Sequence, residues 1–297
     1  MADRAGYPIT AVGKTIAILG AGRVGQTLGR ALRRRGWRIG AVVTRSPRTA
    51  RAAVRFIGAG RPISDVKSQI SKLENAAVVL IATNDNQVPV AARTLARLKK
   101  NWRGRVVLQA SGALSSRVLA PLGKRGAAVG SLHPLYPFPK PLKVFPPGVV
   151  FGVEGDSRAL KGALALVRAL KGEPLEVRST EKALYHAAAA LVAGHLLTLA
   201  DLGVRALVRA GVRKSRARTV LVPLAQATLG WYARQGARAW TGPLARGDAD
   251  TVRRHLAELR KLPPQYGETY RTLARAALAL YRKRSTQGTK KLRRLLE

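Results

Sequence analysis

The chain contains no cysteine. Disulfides, thiolate nucleophiles and zinc–thiolate sites are thereby excluded, and no thiol reports on the redox compartment. Histidine is scarce too. His133, His186, His195 and His255 are the whole complement, with no H-E-x-x-H or similar ligand cluster, so no metal site is predicted. Aromatic residues make up 5%, too few for a base-stacking surface. Acidic residues number 15 against 54 basic ones, a net charge of +39. Such a field attracts polyanions. The cations are spread over most segments, as at Arg30, Arg93, Arg205 and Arg253, and no helix-turn-helix or RNP-type motif gathers them. Nucleic acid is therefore expected only through non-specific charge. The N-terminal MADRAGYPITAVGK has no apolar signal core. The longest charge-free run, Ala183 to Ala200, only just reaches the ~18 residues of a membrane span, and it holds two His, a Tyr, a Thr and a Gly. It predicts a buried helix in a soluble, cytoplasmic protein rather than a membrane segment.

What the chain does have is a glycine motif. Ile16 to Leu19 is a short apolar run, followed by Gly20, Gly22 and Gly25 in G-x-G-x-x-G spacing and by a helix start. That arrangement binds the pyrophosphate of a dinucleotide: the first glycine allows the tight turn, the second lets backbone approach phosphate, and the third lets helix pack on strand. The helix N-terminus adds free N–H groups and a positive dipole end. Arg23 and Val24 belong to this loop. The second strand, Arg38 to Val43, ends not in the acid of an NAD site but in Thr44-Arg45-Ser46-Pro47-Arg48. Guanidinium forks and hydroxyls at Thr44, Arg45, Ser46 and Arg48 suit a ribose 2′-phosphate, so NADP is the cofactor expected.

Further along, strands and helices alternate, predicting a doubly wound parallel α/β sheet. A short helix is expected at Ala52–Ile57 and a turn-rich segment at Gly58–Ile63. A buried strand at Ala76–Ala82 ends in Thr83, Asn84 and Asp85. A helix at Val88–Lys100 leads to a strand at Arg105–Gln109 ending in Ser111 and Gly112. The strand at Ala127–Leu132 ends at His133. Ligands of such sheets lie outside the C-terminal strand ends, so these three loops line one crevice. A proline-rich stretch, Pro134 to Pro147, crosses the surface. Val149–Val153, a helix at Ser157–Lys171 and Pro174–Val177 complete the sheet layer.

Beyond Val177 the pattern is helical alone. One helix is expected from Ser179 or Thr180 to about Ala210, and others near Lys214–Arg234, Asp248–Lys261 and Pro264–Arg282. The segment from Tyr281 reads as a frayed basic tail. The expected domains are thus 12–177, which binds NADP, and 178–297, all-helical.

Three segments carry a resemblance: SLHPLYPF at Ser131, EKALYHAAA at Glu181 and TGPLARGD at Thr241. Together they resemble a bacterial family with a Rossmann-like N-terminal half and a C-terminal domain of unknown function. Its architecture is similar to that of 6-phosphogluconate dehydrogenase, the β-hydroxyacid dehydrogenases and pyrroline-5-carboxylate reductase. The resemblance implies an NADP-type oxidoreductase fold with an all-helical, dimerising domain, hence a homodimer, and names no substrate. Two departures stand out: Gln109-Ala110-Ser111-Gly112 replaces an expected His-Thr-Ser-Gly, and Ala193-Gly194-His195 replaces Ser-Asn-Tyr.

Reducing a C=O or C=N bond needs a hydride donor and a proton donor. Lys182 and His186, spaced i,i+4, share one helix face. The resemblance implies an acid/base lysine on this helix, which makes Lys182 the expected proton donor and His186 a substrate orienter or alternate acid. The opposing reading makes Lys182 a surface lysine and His186 a core histidine. His133 either touches substrate or nicotinamide or braces the proline-rich loop. Arg246 is a bidentate donor suited to a substrate carboxylate. His195 is expected to be structural or at a subunit contact, and His255, on a charged helix, to be solvated. The function expected is an NADP-dependent oxidoreductase for a small anionic carbonyl or imine compound. A cofactor-binding sensor or scaffold and a basic nucleic-acid-associated protein are the alternatives.

Overall fold

The computed structural model describes residues 13–73, 75–281 and 287–297. The expected N-terminal segment and the start of the basic tail fall partly outside them. Strand β1 is Thr15–Leu19, and its alternating side chains feed two cores. Ile16 and Ile18 pack with Leu28 and Ile57 on one face, while Ala17 and Leu19 join Val79, Ile81 and Leu95 on the other. Such two-sided burial explains why the strand reads as an unbroken apolar run.

Helix α1 (Arg23–Arg34) follows the glycine loop, then β2 (Arg38–Val43) and α2 (Pro47–Ile57). α2 begins five residues earlier than the sequence suggests because Ser46 caps it, accepting from the Thr49 N–H, with Pro47 in its first turn. The segment expected to be only turns contains a strand, β3 (Arg61–Ile63), paired parallel to β2. Three residues at a sheet edge with a proline in the middle carry too little periodicity to be read as a strand.

β4 (Val78–Ile81), α3 (Val88–Leu98), β5 (Val106–Gln109), the single turn α4 (Ala120–Gly123) and β6 (Ala128–Pro134) continue the winding. The sheet order is β3-β2-β1-β4-β5-β6-β7-β8, with β7 at Val150–Gly155 and β8 at Glu173–Glu176 flanking α5 (Ser157–Ala169). The reversal of strand order between β1 and β4 is the switch point at which such sheets bind ligands. One strand departs from the expected parallel arrangement: β7 runs antiparallel to β6. No crossover helix joins this pair. The proline-rich stretch does, and a returning loop suits antiparallel neighbours. That stretch is pinned to α1, where Thr27 Oγ1 accepts from the Leu142 N–H at 2.9 Å and Arg30 donates to the Lys143 carbonyl at 3.2 Å.

The chain divides into two compact units, one ending at Val192 and one spanning Ala193–Glu297. The expected uninterrupted helix is α6 (Lys182–Ala190), a π-helical segment Leu191–His195, and α7 (Leu196–Arg209). Its apolar side chains are not buried as expected. Leu184 is 68% exposed, Leu191 64% and Leu197 73%. By length and composition, Ser179–Arg209 is apolar enough to cross a membrane, with a mean hydropathy of 1.7.

The second unit also contains α8 (Lys214–Gln235), α9 (Pro243–Arg246), α10 (Ala249–Leu259), α11 (Pro264–Tyr281) and α12 (Gln287–Leu296). α12 corrects the frayed-tail expectation. Leu292 and Leu296 are fully buried against Val252, Leu256 and Leu278. Its lysines and arginines occupy the outer face of an amphipathic helix, where a count of charges cannot distinguish them from a loose tail.

Candidate functional site

The glycine loop has the shape its spacing predicts. Gly20 has φ +91°, and a Cβ on it would lie 2.6 Å from the Thr83 nitrogen. A Cβ on Gly25 would strike the Gly20 carbonyl oxygen, whereas one on Gly22 would meet nothing within 4 Å. The loop thus packs tightly against β4 and leaves open space above Gly22 and the α1 N-terminus, as a bound pyrophosphate requires. Thr83 Oγ1 is buried here with no hydrogen-bond partner among the described residues. Arg23 donates to the Phe138 carbonyl at 3.3 Å, and Val24 is partly buried against the core.

At the end of β2, Thr44 and Ser46 are committed locally: Thr44 Oγ1 and Ser46 Oγ lie 2.7 and 2.9 Å from Thr49 Oγ1. Arg45 and Arg48 are exposed. Asn84 precedes the short turn Asp85–Gln87 at the end of β4.

Lys182 occupies the first turn of α6 and is 1% exposed, not a surface lysine. Its Nζ donates to the Ser111 carbonyl at 3.2 Å and to Ser131 Oγ at 2.9 Å. An ammonium has three protons, so one remains for another acceptor. Burial lowers its pKa from the usual lysine value, opposed by the negative charges of Glu154 and Asp85. One turn on, His186 faces the same region. A Cβ on Gly112 would sit 2.5 Å from His186 Nδ1 and 2.8 Å from His133 Nε2, so only glycine fits between the two rings. The rings meet edge-on with centroids 5.8 Å apart, and His186 Nδ1 is buried without a partner among the described residues. Burial, then the charges of Lys182 and His186, lower the His133 pKa to about 4, so its imidazole is neutral at pH 7. Ser111 Oγ accepts from the Ala113 and Leu114 N–H groups and shapes the loop rather than the pocket.

Three members of this cluster escaped the sequence reading. Tyr185 OH lies 2.9 Å from His133 Nδ1, and its ring lies 5.3 Å from Lys182 Nζ. Burial raises its pKa. The hydroxyl fits because position 152, opposite His133, is glycine; a Cβ there would lie 2.5 Å from it. Ser131 is fully buried, and Glu154 is 5% exposed. A signal for both was available: Glu154 is the lone polar residue of an apolar strand, and Ser131 shares its strand face with His133 two residues on.

The predicted site residues thus separate. Lys182, His186, His133, Ser111 and Gly112 converge at the ends of β5 and β6, and the glycine loop meets Thr83 at the ends of β1 and β4. Arg246 is exposed at the end of α9 in the second unit. His195 is exposed in the π segment, and His255, also exposed, lies 3.0 Å from Tyr270 OH.

Two family models match the chain: a Rossmann-like domain over residues 5–134 and the domain of unknown function DUF2520 over 149–277. Among solved structures it is similar to protein TM1727 from Thermotoga maritima, with TM-score 0.68 and 23% identity over 89% of this chain and 97% of that one. It is also similar to the reductive aminase from Aspergillus terreus in complex with NADPH and ethyl-5-oxohexanoate, at 0.66 and 16% over 96% and 99%. An imine reductase from Pseudomonas sp. matches at 0.65 and 17% over 96% and 100%. At such identities the likeness is one of fold. A search of curated protein sequences returns no match. With its glycine loop and its strand order, the chain carries a Rossmann-like N-terminal domain followed by the domain of unknown function DUF2520.

Proposed function

We propose that the protein is an NADP(H)-dependent oxidoreductase that transfers hydride between nicotinamide and a small, anionic carbonyl or imine compound. The observation that carries this reading is Lys182, a buried amine with one uncommitted proton at the ends of β5 and β6, two strands from the glycine loop. The open space at Gly22 and the unpartnered Thr83 hydroxyl suit a dinucleotide, and the exposed Arg45 and Arg48 suit its 2′-phosphate. The Aspergillus and Pseudomonas proteins of the same fold are a reductive aminase solved with NADPH and an imine reductase, which supports the reaction class.

Bound in this cradle, NADPH would supply the hydride. Lys182 gives its third proton to the nitrogen or oxygen of the reduced bond. Neutral His133, held by Tyr185, and His186 across Gly112 orient that atom. A second copy of the chain covers the exposed face of α6 and α7. A membrane is the poorer occupant, because α6 begins with Lys182 buried beside the sheet. The test is calorimetry with NADPH and NADH, then a screen of keto acids and imines for NADPH oxidation. We expect NADPH to bind more tightly and Lys182→Ala to lower turnover by ~10²–10⁴-fold while leaving NADPH affinity intact. Tighter NADH binding removes the NADP assignment, and unchanged turnover removes Lys182 from the reaction.

A further inference from the structure

A polar row crosses the otherwise apolar sheet beneath Lys182. Gln109 on β5 is registered with Ser131 on β6, and Ser131 with Glu154 on β7. Opposed residues of neighbouring strands project to the same face, with Cβ atoms ~5 Å apart in the antiparallel pair. All three are buried. Gln109 is used up by its own loop, donating to the Leu114 carbonyl and accepting from the Ser111 N–H. Glu154 accepts from the Ser116 N–H at 2.6 Å and the Ser116 hydroxyl at 2.7 Å. Burying a carboxylate in an apolar sheet is costly, and capping the turn at Ser116 does not require it, since Ser115 already caps that turn, accepting from the Arg117 N–H.

Glu154 also has an outlet. Together with Ser116 it lines a cavity of about 320 Å³ whose other walls include Leu160 and Val177 and whose exposed rim carries Glu176 and Arg178. A buried carboxylate thus lines a water-accessible cavity and stands opposite, on the neighbouring strand, the serine that holds the Lys182 amine.

We propose that Glu154 is the proton port of Lys182, passing protons from this cavity through the Ser131 hydroxyl to the lysine amine. The inference rests on Lys182 being the proton donor of the proposed reaction. After donation Lys182 is a neutral amine. Glu154 first takes a proton from hydronium or a buffer acid in the cavity; the Lys182 lone pair then takes the Ser131 hydroxyl proton as the Ser131 oxygen takes that proton from Glu154, which returns to carboxylate. The balance is one hydride and one proton added to the C=O or C=N bond, with NADPH oxidised to NADP⁺. The ionisable groups around Lys182 are otherwise His133, His186, Tyr185 and Asp85, and they belong to the crevice side. Port and reaction thus use separate openings, and protons can be resupplied while substrate and cofactor fill the crevice.

The test follows exchange of the Lys182 ammonium protons with water by ¹⁵N-lysine NMR on the full chain without cofactor, the resonance being assigned from Lys182→Arg. We expect Glu154→Gln to slow exchange by about tenfold or more, and Ser131→Ala to do the same should the first variant fold poorly. Glu173→Gln, exposed on β8 and outside the cavity, serves as the control and leaves the rate within about twofold. In turnover, Glu154→Gln lowers kcat at unchanged KM, and added imidazole restores it by entering the cavity as a proton donor. Exchange as fast in Glu154→Gln and Ser131→Ala as in the parent overturns the port. Slow exchange in both variants in a protein that oxidises NADPH with no carbonyl or imine compound keeps the port and overturns the oxidoreductase reading instead.

Discussion

Gly152 and His133 show how a missing side chain and a neutral ring build one site. The glycine leaves room for the Tyr185 hydroxyl, and that hydroxyl holds His133. Gly152→Ala is therefore expected to push Tyr185 aside, break the 2.9 Å contact and cost ~1–3 kcal/mol, measurable in denaturant melts. His133 makes the site pH-sensitive. Its pKa falls from 6.5 to about 4 on folding, so the unfolded chain binds the proton more readily. The associated stability is fully present above pH 6.5 and is lost as pH falls toward 4. We expect the parent to lose ~2–3 kcal/mol more than His133→Asn between pH 7 and 4.5, from paired denaturation curves. Equal losses would show that His133 titrates as an ordinary histidine.

Among the elements, α12 and the helix that starts at Lys182 carry the main departures from a linear reading. α12 is held by its apolar face, so Leu292→Ala is expected to cost ~2–5 kcal/mol in chemical unfolding, whereas a loose tail would show less than ~0.5. The π segment Leu191–His195 shifts the phase of the helix face, so a 3.6-residue wheel drawn across it misplaces the residues beyond. Neither feature could be read from composition. Burial of α12 depends on α10 and α11, and π hydrogen bonding on the local helix geometry. The strands of the first unit were the most legible part. β1, β2, β4 and β5 are buried on both faces and leave apolar runs, while β3, three residues long at an edge, does not.

For the molecule as a whole, the apolar face of α6 and α7 is a larger question than the +39 charge. Leu184, Leu191, Val192 and Leu197 are each more than 60% exposed, and a helix this apolar is expected to be covered. Leu197→Glu should convert a dimer to a monomer in sedimentation velocity runs. A parent chain that is already monomeric removes the second copy as the cover. The charge stays dispersed over both units, which favours solubility and weak, salt-sensitive attraction to polyanions rather than one docking face.

The chain's own order of residues was enough for the glycine loop, the alternation of strand and helix, the pairing of Lys182 with His186, and the change to helix alone after Val177. Each is written in near-neighbour spacing, over which backbone geometry acts directly. Which faces meet was decided by tertiary structure: β7 turning back against β6, Ser131 set opposite Glu154, and Tyr185 admitted over Gly152. These contacts join residues from distant parts of the chain, and only the register of the folded sheet brings them together.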